Sequence, residues 1–262
     1  MILYFSSTGN TKFVAEMMAR DLKDEIVSLN HVFKYNKKWE FHSETPFILA
    51  APVYAWRLPK KVELLLKNAV FTGSKEIYFV ITMGGHAGSA MNSCQQITEK
   101  KQMTYMGFAG IPMPDNYFLA DQMLSKEKAV LKIQKVIPFI HNIENIIRNK
   151  QVLKLYEHKS NDWFLSSAAY WGFNTFMKSS RAFKVSDQCI HCGKCIKECP
   201  VNNITTKDRK ITFGNQCMFC LGCIHKCPVH AIDYKGKAKK NGYYICPSSS
   251  EILADNKEFP QK

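Results

Sequence analysis

Eight of the ten cysteines in this 262-residue chain fall in two copies of one pattern, C-x2-C-x2-C-x3-C-P. Each cysteine of the second copy lies 28 residues after its counterpart, in the runs Cys189, Cys192, Cys195, Cys199 and Cys217, Cys220, Cys223, Cys227. Secreted disulfide frameworks lack such a duplication, and structural zinc prefers two C-x2-C pairs. Because thiolates at i, i+3 and i+6 of a tight loop can converge on three corners of one cluster, the pattern predicts a small metal-bound module.

This spacing resembles that of the bacterial ferredoxins that carry two [4Fe–4S] clusters. In that family the last cysteine of each run binds the other cluster. The resemblance therefore implies crossed ligand sets, with Cys189, Cys192, Cys195 and Cys227 on cluster 1 and Cys217, Cys220, Cys223 and Cys199 on cluster 2. Cys94 and Cys246 lie outside the pattern, and we expect both to be ordinary buried thiols.

A hydroxyl-rich loop follows the first apolar run of the chain. Residues 1–5 are typical of a buried parallel strand, and residues 12–22 carry a helical apolar stripe. The loop between them consists of Ser6, Ser7, Thr8, Gly9, Asn10 and Thr11. Backbone N–H groups at a helix start form an anion cradle with such hydroxyls, although a capped helix start is the simpler alternative. The loop lacks the lysine of a nucleotide P-loop and the G-x-G-x2-G dinucleotide pattern.

The same loop resembles the phosphate loop of the flavodoxins, [ST]-x-T-G-x-T, at every fixed position. The resemblance implies that Ser6, Thr8, Gly9, Asn10 and Thr11 bind the phosphate of FMN, with Ser7 in the same loop.

Strands and helices alternate through the first 150 residues, which predicts a parallel sheet covered on both faces. After the first strand we predict four more, at residues 25–29, 46–51, 76–82 and 105–111. We predict helices at residues 59–70 and 87–101, and a long closing helix at 124–150 that is kinked at Pro138. The expected fold is thus a flavodoxin-like, doubly wound, five-stranded parallel sheet.

Ligands of such sheets bind beyond the carboxyl ends of the strands, and flavodoxin is the standard example. The loop after the third strand offers aromatic rings for the isoalloxazine, in Pro52, Val53, Tyr54, Ala55 and Trp56. The loop after the fourth strand permits close backbone approach, in Met83, Gly84, Gly85, His86 and Gly88. Ordinary packing and a plain turn are the alternatives. His86 and Tyr117 are weak candidates for a proton donor, and either can equally be a structural residue.

An aromatic segment occupies residues 162–184, with Trp163, Tyr170, Phe173 and Met177 at helical spacing. A membrane-surface helix is one interpretation. We favour the other, a helix that packs the cluster module onto the first domain.

The whole chain resembles a family of flavodoxin-fused two-cluster ferredoxins. This resemblance implies an FMN-binding domain at residues 1–150, an aromatic helical connector at 151–184 and a small α+β ferredoxin module at 185–240. Residues 241–262 then form a C-terminal tail.

The formal net charge of +14 falls to about +8 once two clusters and a flavin phosphate are bound. The basic run at residues 235–240 predicts either a solvated loop or a surface that steers an acidic redox protein, such as a ferredoxin or a flavoenzyme. No nucleic-acid module is evident. The sequence shows no signal peptide and no transmembrane span, which together with reduced cysteines predicts the cytoplasm of an anaerobe or microaerophile.

These observations predict an electron-transfer protein that relays electrons between two [4Fe–4S] clusters and FMN, and that couples one-electron to two-electron steps. One alternative is an FMN-dependent reductase of a small organic substrate, which its own clusters supply with electrons. A second alternative is a cluster-based redox sensor. The sequence leaves open which cluster lies nearer the flavin.

Overall fold

The computed structural model describes residues 1–156 and 180–254. Six parallel strands form the main sheet, in the order β2-β1-β4-β6-β7-β8, and β3 pairs with β5 outside it. The strands are β1 (Ile2–Tyr4), β2 (Ile26–Ser28), β3 (Glu40–Ser43), β4 (Phe47–Pro52), β5 (Val70–Gly73), β6 (Glu76–Met83), β7 (Thr104–Pro112) and β8 (Leu153–Leu155). The strand order reverses between β1 and β4, so their carboxyl ends border a crevice suited to a ligand.

The main sheet has six strands, so the prediction of five was wrong in the strand count. The additional strand, β8, has only three residues and pairs with β7 from Gly107 onward. Gly107 has a φ of 105°, and a Cβ there would overlap the backbone of Leu153. The absence of a side chain at Gly107 is therefore what lets the sixth strand approach.

Six helices cover the two faces of the sheet. They are α1 (Asn10–Leu22), α2 (Leu29–Lys34), α3 (Lys60–Asn68), α4 (Ala90–Lys100), α5 (Lys126–Gln134) and α6 (Ile137–Arg148). The predicted long closing helix is in fact two helices, because the helical conformation is interrupted after Gln134. Pro138 lies in the first turn of α6, where a backbone N–H would have no partner within the helix, so its absence costs nothing. Both sheet faces are buried, with Leu49 and Phe79 on one and Ile48 and Tyr78 on the other.

The cysteine module is built from two short antiparallel ribbons and three short helices. They are β9 (Phe183–Val185) paired with β12 (Ile232–Tyr234), β10 (Ile204–Lys207) paired with β11 (Lys210–Phe213), α7 (Lys194–Glu198), α8 (Gly222–His225) and α9 (Lys237–Asn241). Phe118, from the segment after β7, is fully buried within the module's own apolar core beside Ile224 and Tyr234. The two parts of the molecule therefore share packing as well as a chain.

The chain returns to the first domain after the cysteine module. Ser248 begins helix α10 (Ser249–Leu253) with a capping box that involves Glu251. Ile252 is fully buried in the core between the sheet and its covering helices, and the Gln134 Nε2–H group donates to its carbonyl at 2.8 Å. Residues 248–254 of the predicted tail thus form part of the covering of the first domain.

Residues 157–179, which include most of the aromatic segment, lie outside the described residues. The predicted connector helix, with Trp163, Tyr170 and Phe173, falls there. Within the part of the chain that the structure describes, no helix has the length and apolar character needed to cross a bilayer.

Candidate cofactor sites

The loop between β1 and α1 has the shape of an anion cradle. Gly9 precedes α1 with a φ of 112° and has no side chain to cap the helix. The loop is held from behind, because the Ser6 N–H donates to Asn30 Oδ1 at 2.9 Å and the Thr11 and Thr82 hydroxyls lie 2.7 Å apart. The first turn of α1, which the structure describes in full, carries no carboxylate. Hydroxyls and helix N–H groups without a competing anion fit a phosphate.

Two adjoining cavities lie at this end of the sheet and share part of their lining, including Tyr54, Gly84 and Asn116. The smaller, of about 40 Å³, is lined by the phosphate loop and by the ends of β4, β6 and β7, including Pro52, Thr82, Met83 and Pro114. The larger, of about 500 Å³, is lined by the residues Val53, Tyr54, Ala55, Trp56, Gly84, Gly85, His86, Asp115, Asn116, Tyr117, Phe219, Cys220 and Leu221. The structure thus brings the three predicted loops together, and Gly9 and Gly88 are the predicted residues that line neither cavity.

A strained turn sets the position of Trp56. Ala55 and Trp56 both have positive φ, 48° and 62°, and the Tyr54 N–H donates to the Arg57 carbonyl at 2.8 Å across them. A side-chain-bearing residue in this conformation costs roughly 1–2 kcal/mol, and such strain clusters at ligand sites. Gly88 packs against this turn, because a Cβ at residue 88 would overlap the Trp56 side chain.

The two weak proton-donor candidates both line the larger cavity. His86 is exposed, and its Nε2 accepts a hydrogen bond from Trp56 Nε1–H at 3.2 Å, so a proton donated by His86 would have to come from Nδ1. Tyr117 is partly buried, and burial raises the pKa of its phenol, with Tyr234 and Asp115 adding to the effect. Its backbone N–H donates to Asp115 Oδ1 at 2.9 Å.

Several cysteines act electrostatically on one another in the pattern that the predicted crossed sets would give. Burial raises the pKa of the Cys195 thiol, and Cys189 and Cys227 act on it from nearby. Burial likewise raises the pKa of Cys223 and Cys220, the latter to about 12, with Cys217 and Cys199 acting on both. We call Cys189, Cys192, Cys195 and Cys227 the outer set and Cys217, Cys220, Cys223 and Cys199 the inner set.

Both sets fit an iron–sulfur cluster by the chemistry of their donors. Buried thiols become thiolates most readily when a metal takes the proton's place. Backbone N–H groups also point at the sulfurs, from Asn203 to Cys199 and from Ala231 to Cys227, each at 3.3 Å. These contacts occur at equivalent positions of the two repeats, as a duplicated cluster site requires.

The inner set adjoins the larger cavity, whereas one cysteine of the outer set is exposed. Cys220 lines the larger cavity together with Tyr54 and Trp56, and Cys192 is exposed. Burial raises the pKa of the Tyr54 hydroxyl, and the neighbouring Cys220 raises it further. The inner set is therefore the one that shares a cavity with the loops predicted to bind the flavin.

Three residues at this junction are not among the predicted site residues. His225, 1% exposed, lies between two cluster cysteines. Asn116 follows β7, and Tyr244 follows the module; hydrogen bonds connect all three to one another and to the phosphate loop. Asn116 could be expected here because its segment follows a strand at the same edge of the sheet, and His225 because it replaces the Lys197 of the first repeat with a residue that can be buried neutral. Burial lowers its pKa to about 4.

Two stretches of the chain match the models of known protein families. Residues 1–111 match the model of the flavodoxin domain, and residues 188–232 match that of the 4Fe-4S dicluster domain. A ferredoxin of Clostridium pasteurianum is 52% identical over 27 residues, which is 10% of this chain and 48% of that protein. The chain thus spans about half the length of this curated relative.

Two solved structures are also similar to the chain. The two-electron reduced flavodoxin of Megasphaera elsdenii is 19% identical, with a TM-score of 0.29, and the match covers 43% of this chain and 86% of that one. The Trp repressor binding protein from Bacillus subtilis is 12% identical, with a TM-score of 0.34, and the match covers 60% and 100%.

The first family implies FMN and the second implies iron–sulfur clusters, and the donor groups described above suit both. Residues 1–111 are thus a flavodoxin domain, and residues 188–232, which follow it, are a 4Fe-4S dicluster domain.

Proposed function

We propose that the protein transfers electrons, relaying them between two [4Fe–4S] clusters and FMN. The observation that carries this proposal is the shared wall of the larger cavity, where Cys220 of the inner set lies beside the loops assigned to the flavin. When bound, FMN exchanges one or two electrons and each cubane exchanges one, so together they couple the two kinds of step.

Contacts between the domains support a short separation of the two cofactor sites. A Cβ on Gly222 would lie 3.5 Å from the Ser7 carbonyl oxygen and 3.8 Å from Cys220 Sγ. The backbone at Gly222, in the loop that carries the inner ligands, therefore lies directly against the phosphate loop at Ser7. Phe219 and Leu221 close the cavity from the cluster side, both in left-handed conformation with φ of 58° and 59°.

The outer set supports an exchange of electrons with a second protein. Cys192 and His191 are exposed, and Ile190 beside them is an apolar side chain that is 59% exposed. Lys194 is also exposed at this end. An apolar residue with basic neighbours suits an acidic redox protein, because charge steers the encounter while the apolar contact excludes water.

A reductase of a small organic molecule is the second candidate, and Tyr117 is the observation that favours it. Its phenol lines the larger cavity with a raised pKa, so it stays protonated and able to donate. Against this candidate, the cavity of about 500 Å³ lies in the lower part of the roughly 300–1,000 Å³ range of ligand pockets. The flavin ring would occupy it, with Phe219 and Leu221 as a lid.

The test begins with protein purified without oxygen, which we expect to contain about eight irons and one FMN per chain. The clusters are photoreduced and the absorbance of clusters and flavin is followed together, before and after an oxidised ferredoxin is added. The relay predicts that the flavin is reduced within the protein and that the added ferredoxin reoxidises it. A flavin that stays oxidised beside reduced clusters would contradict the relay, and stoichiometric reduction of an organic compound would favour the reductase.

A further inference from the structure

The phosphate loop of the flavodoxin domain is held by residues that lie outside that domain. The Cys246 N–H donates to the Thr8 carbonyl at 2.8 Å, and the Tyr244 hydroxyl donates to Asn10 Oδ1 at 2.5 Å. On Gly9, a Cβ would lie 2.7 Å from the Cβ of Cys246. The outer side of the loop is therefore packed against the segment that follows the cysteine module.

A second connection runs through His225, which ends helix α8 between two cluster ligands. The His225 Nδ1 accepts the Tyr244 N–H at 3.0 Å, and its Nε2 lies 2.8 Å from the Asn116 carbonyl. Because Nδ1 is the acceptor, Nε2 carries the proton and donates it to Asn116. The imidazole is thus fixed on both sides in one tautomer.

Asn116 passes this connection on to the phosphate loop. Its side-chain N–H group donates to Thr8 Oγ1 at 2.9 Å and approaches Ser7 Oγ at 3.4 Å. A continuous series of hydrogen bonds therefore joins His225 to two hydroxyls of the loop. All of these atoms are buried or partly buried, so water does not readily replace the bonds if one of them is lost.

Helix α8 has only four residues, Gly222–His225, too few to be stable without tertiary support. It begins two residues after Cys220, contains Cys223 and ends two residues before Cys227, so ligation of a cluster would hold it at both ends. Metal binding in such small modules supplies folding free energy. His225 keeps its position only while the ligands around it are fixed.

We propose that His225 is a positioning residue that links FMN affinity to assembly of the inner cluster. The link runs from His225 through Asn116 to Thr8, and Tyr244 and Cys246 add to it from the other side of the loop. Linkage is reciprocal, so bound FMN also protects the inner cluster. The proposal concerns binding of oxidised cofactors, and it holds whether or not electrons pass between them.

The direct test compares FMN dissociation constants, measured by flavin fluorescence without oxygen. His225→Ala removes both hydrogen bonds, and we expect FMN to bind about 10- to 30-fold more weakly, since two buried bonds contribute about 1 kcal/mol each and about 1.4 kcal/mol is a factor of ten. His225→Gln can still donate from the position of Nε2, and we expect it to recover a part of that loss. Lys207→Ala, at an exposed position of strand β10 in the same module, is the control and should leave FMN affinity unchanged.

Asn116→Ala tests the same series from the flavin side. It removes the bonds to Thr8 and Ser7 and keeps the main-chain acceptor for His225. We expect FMN to bind about 2- to 10-fold more weakly with all eight irons retained. Normal FMN affinity in both His225→Ala and Asn116→Ala, with iron content intact, would overturn the proposal.

Cluster assembly is tested with one ligand variant from each set. Cys217→Ala, which disables the inner set, should bind FMN at least 10-fold more weakly than Cys189→Ala, which disables the outer set. Iron analysis must show that the remaining cluster is present in each variant. In the wild-type protein, an iron chelator should remove the inner cluster faster after FMN has been stripped. Equal FMN affinity in the two variants and FMN-independent iron loss would both count against the linkage.

Discussion

The two cysteine runs have the same spacing and opposite surroundings. Cys192 of the first run is exposed, whereas its counterpart Cys220 lines the flavin cavity. Lys197 is exposed, whereas its counterpart His225 is 1% exposed between the domains. Spacing alone therefore determines how a cluster is held, and the residues between the cysteines determine what that cluster faces.

The residues directly before helices α7 and α8 show the same contrast between the two repeats. Gly193 and its counterpart Leu221 both adopt left-handed conformation, with φ of 70° and 59°. A Cβ on Gly193 would meet nothing within 4 Å, whereas Leu221 is only 4% exposed. The inner repeat accepts backbone strain of roughly 1–2 kcal/mol in order to place an apolar side chain at the cavity.

Removing one ligand from each set should give the largest difference between the repeats. We expect Cys220→Ala to abolish reduction of FMN by the clusters, because the inner set is the one beside the flavin. Cys192→Ala should instead impair the exchange with an external ferredoxin more than the internal transfer. Time-resolved absorbance after photoreduction separates the two steps, and equal defects in both variants would contradict the assignment of inner and outer sets.

The equivalent isoleucines should differ next most. Ile224 is fully buried in the module core, and Ile196 is only partly buried. Ile224→Ala should lower the free energy of unfolding by about 2–4 kcal/mol, because it leaves a cavity, and Ile196→Ala by about 1 kcal/mol or less. Thermal melting of the fully loaded protein measures both, with iron content as the control. A larger loss at Ile196 would show that the first repeat is the better packed.

The left-handed positions test the strain argument. Gly193→Ala should destabilise the protein by about 1 kcal/mol through backbone strain alone and leave FMN affinity unchanged. Leu221→Gly relieves strain and opens the cavity wall, so we expect weaker FMN binding with a small change in melting temperature. Fluorescence titration and thermal melting distinguish the two variants, and unchanged FMN affinity in Leu221→Gly would remove Leu221 from the flavin site.

The smallest effect should come from the ion pair that joins the repeats. Glu198 and its counterpart Lys226 are 2.7 Å apart, and both side chains are partly exposed. Pairs of this kind contribute about 1 kcal/mol or less. Glu198→Gln should therefore lower the melting temperature only slightly, and added salt should shrink the difference from wild type. A large, salt-independent loss would instead indicate that Glu198 supports the neighbouring ligand turn.

Strong local patterns were enough to predict most of the fold. Apolar runs gave the five longer or better flanked strands of the main sheet, and the cysteine spacing indicated the metal module. Strand β8 was missed because Leu-Lys-Leu is too short to show a period, and its pairing depends on Gly107. The split between α5 and α6 was missed because apolar residues continue across it.

The candidate site was predictable where one loop carries the chemistry and not where distant segments meet. The phosphate loop and the loops after β4 and β6 can each be recognised from a few consecutive residues. The contacts of His225 with Asn116 and of Cys246 with Thr8 join positions more than a hundred residues apart. Cys246 had been expected to be an ordinary thiol, and its contribution is made by its backbone N–H group and its bulk beside Gly9.

The contact between Cys246 and Thr8 also has a consequence for biosynthesis. A growing chain releases Thr8 from the ribosome first, and the residue that covers its loop emerges more than two hundred residues later. At about 5–20 residues per second this delay is roughly 10–50 s. All eight cluster cysteines also precede Tyr244 and Cys246 in the chain, so every cluster ligand has been synthesised before the contacts that complete the phosphate loop can form.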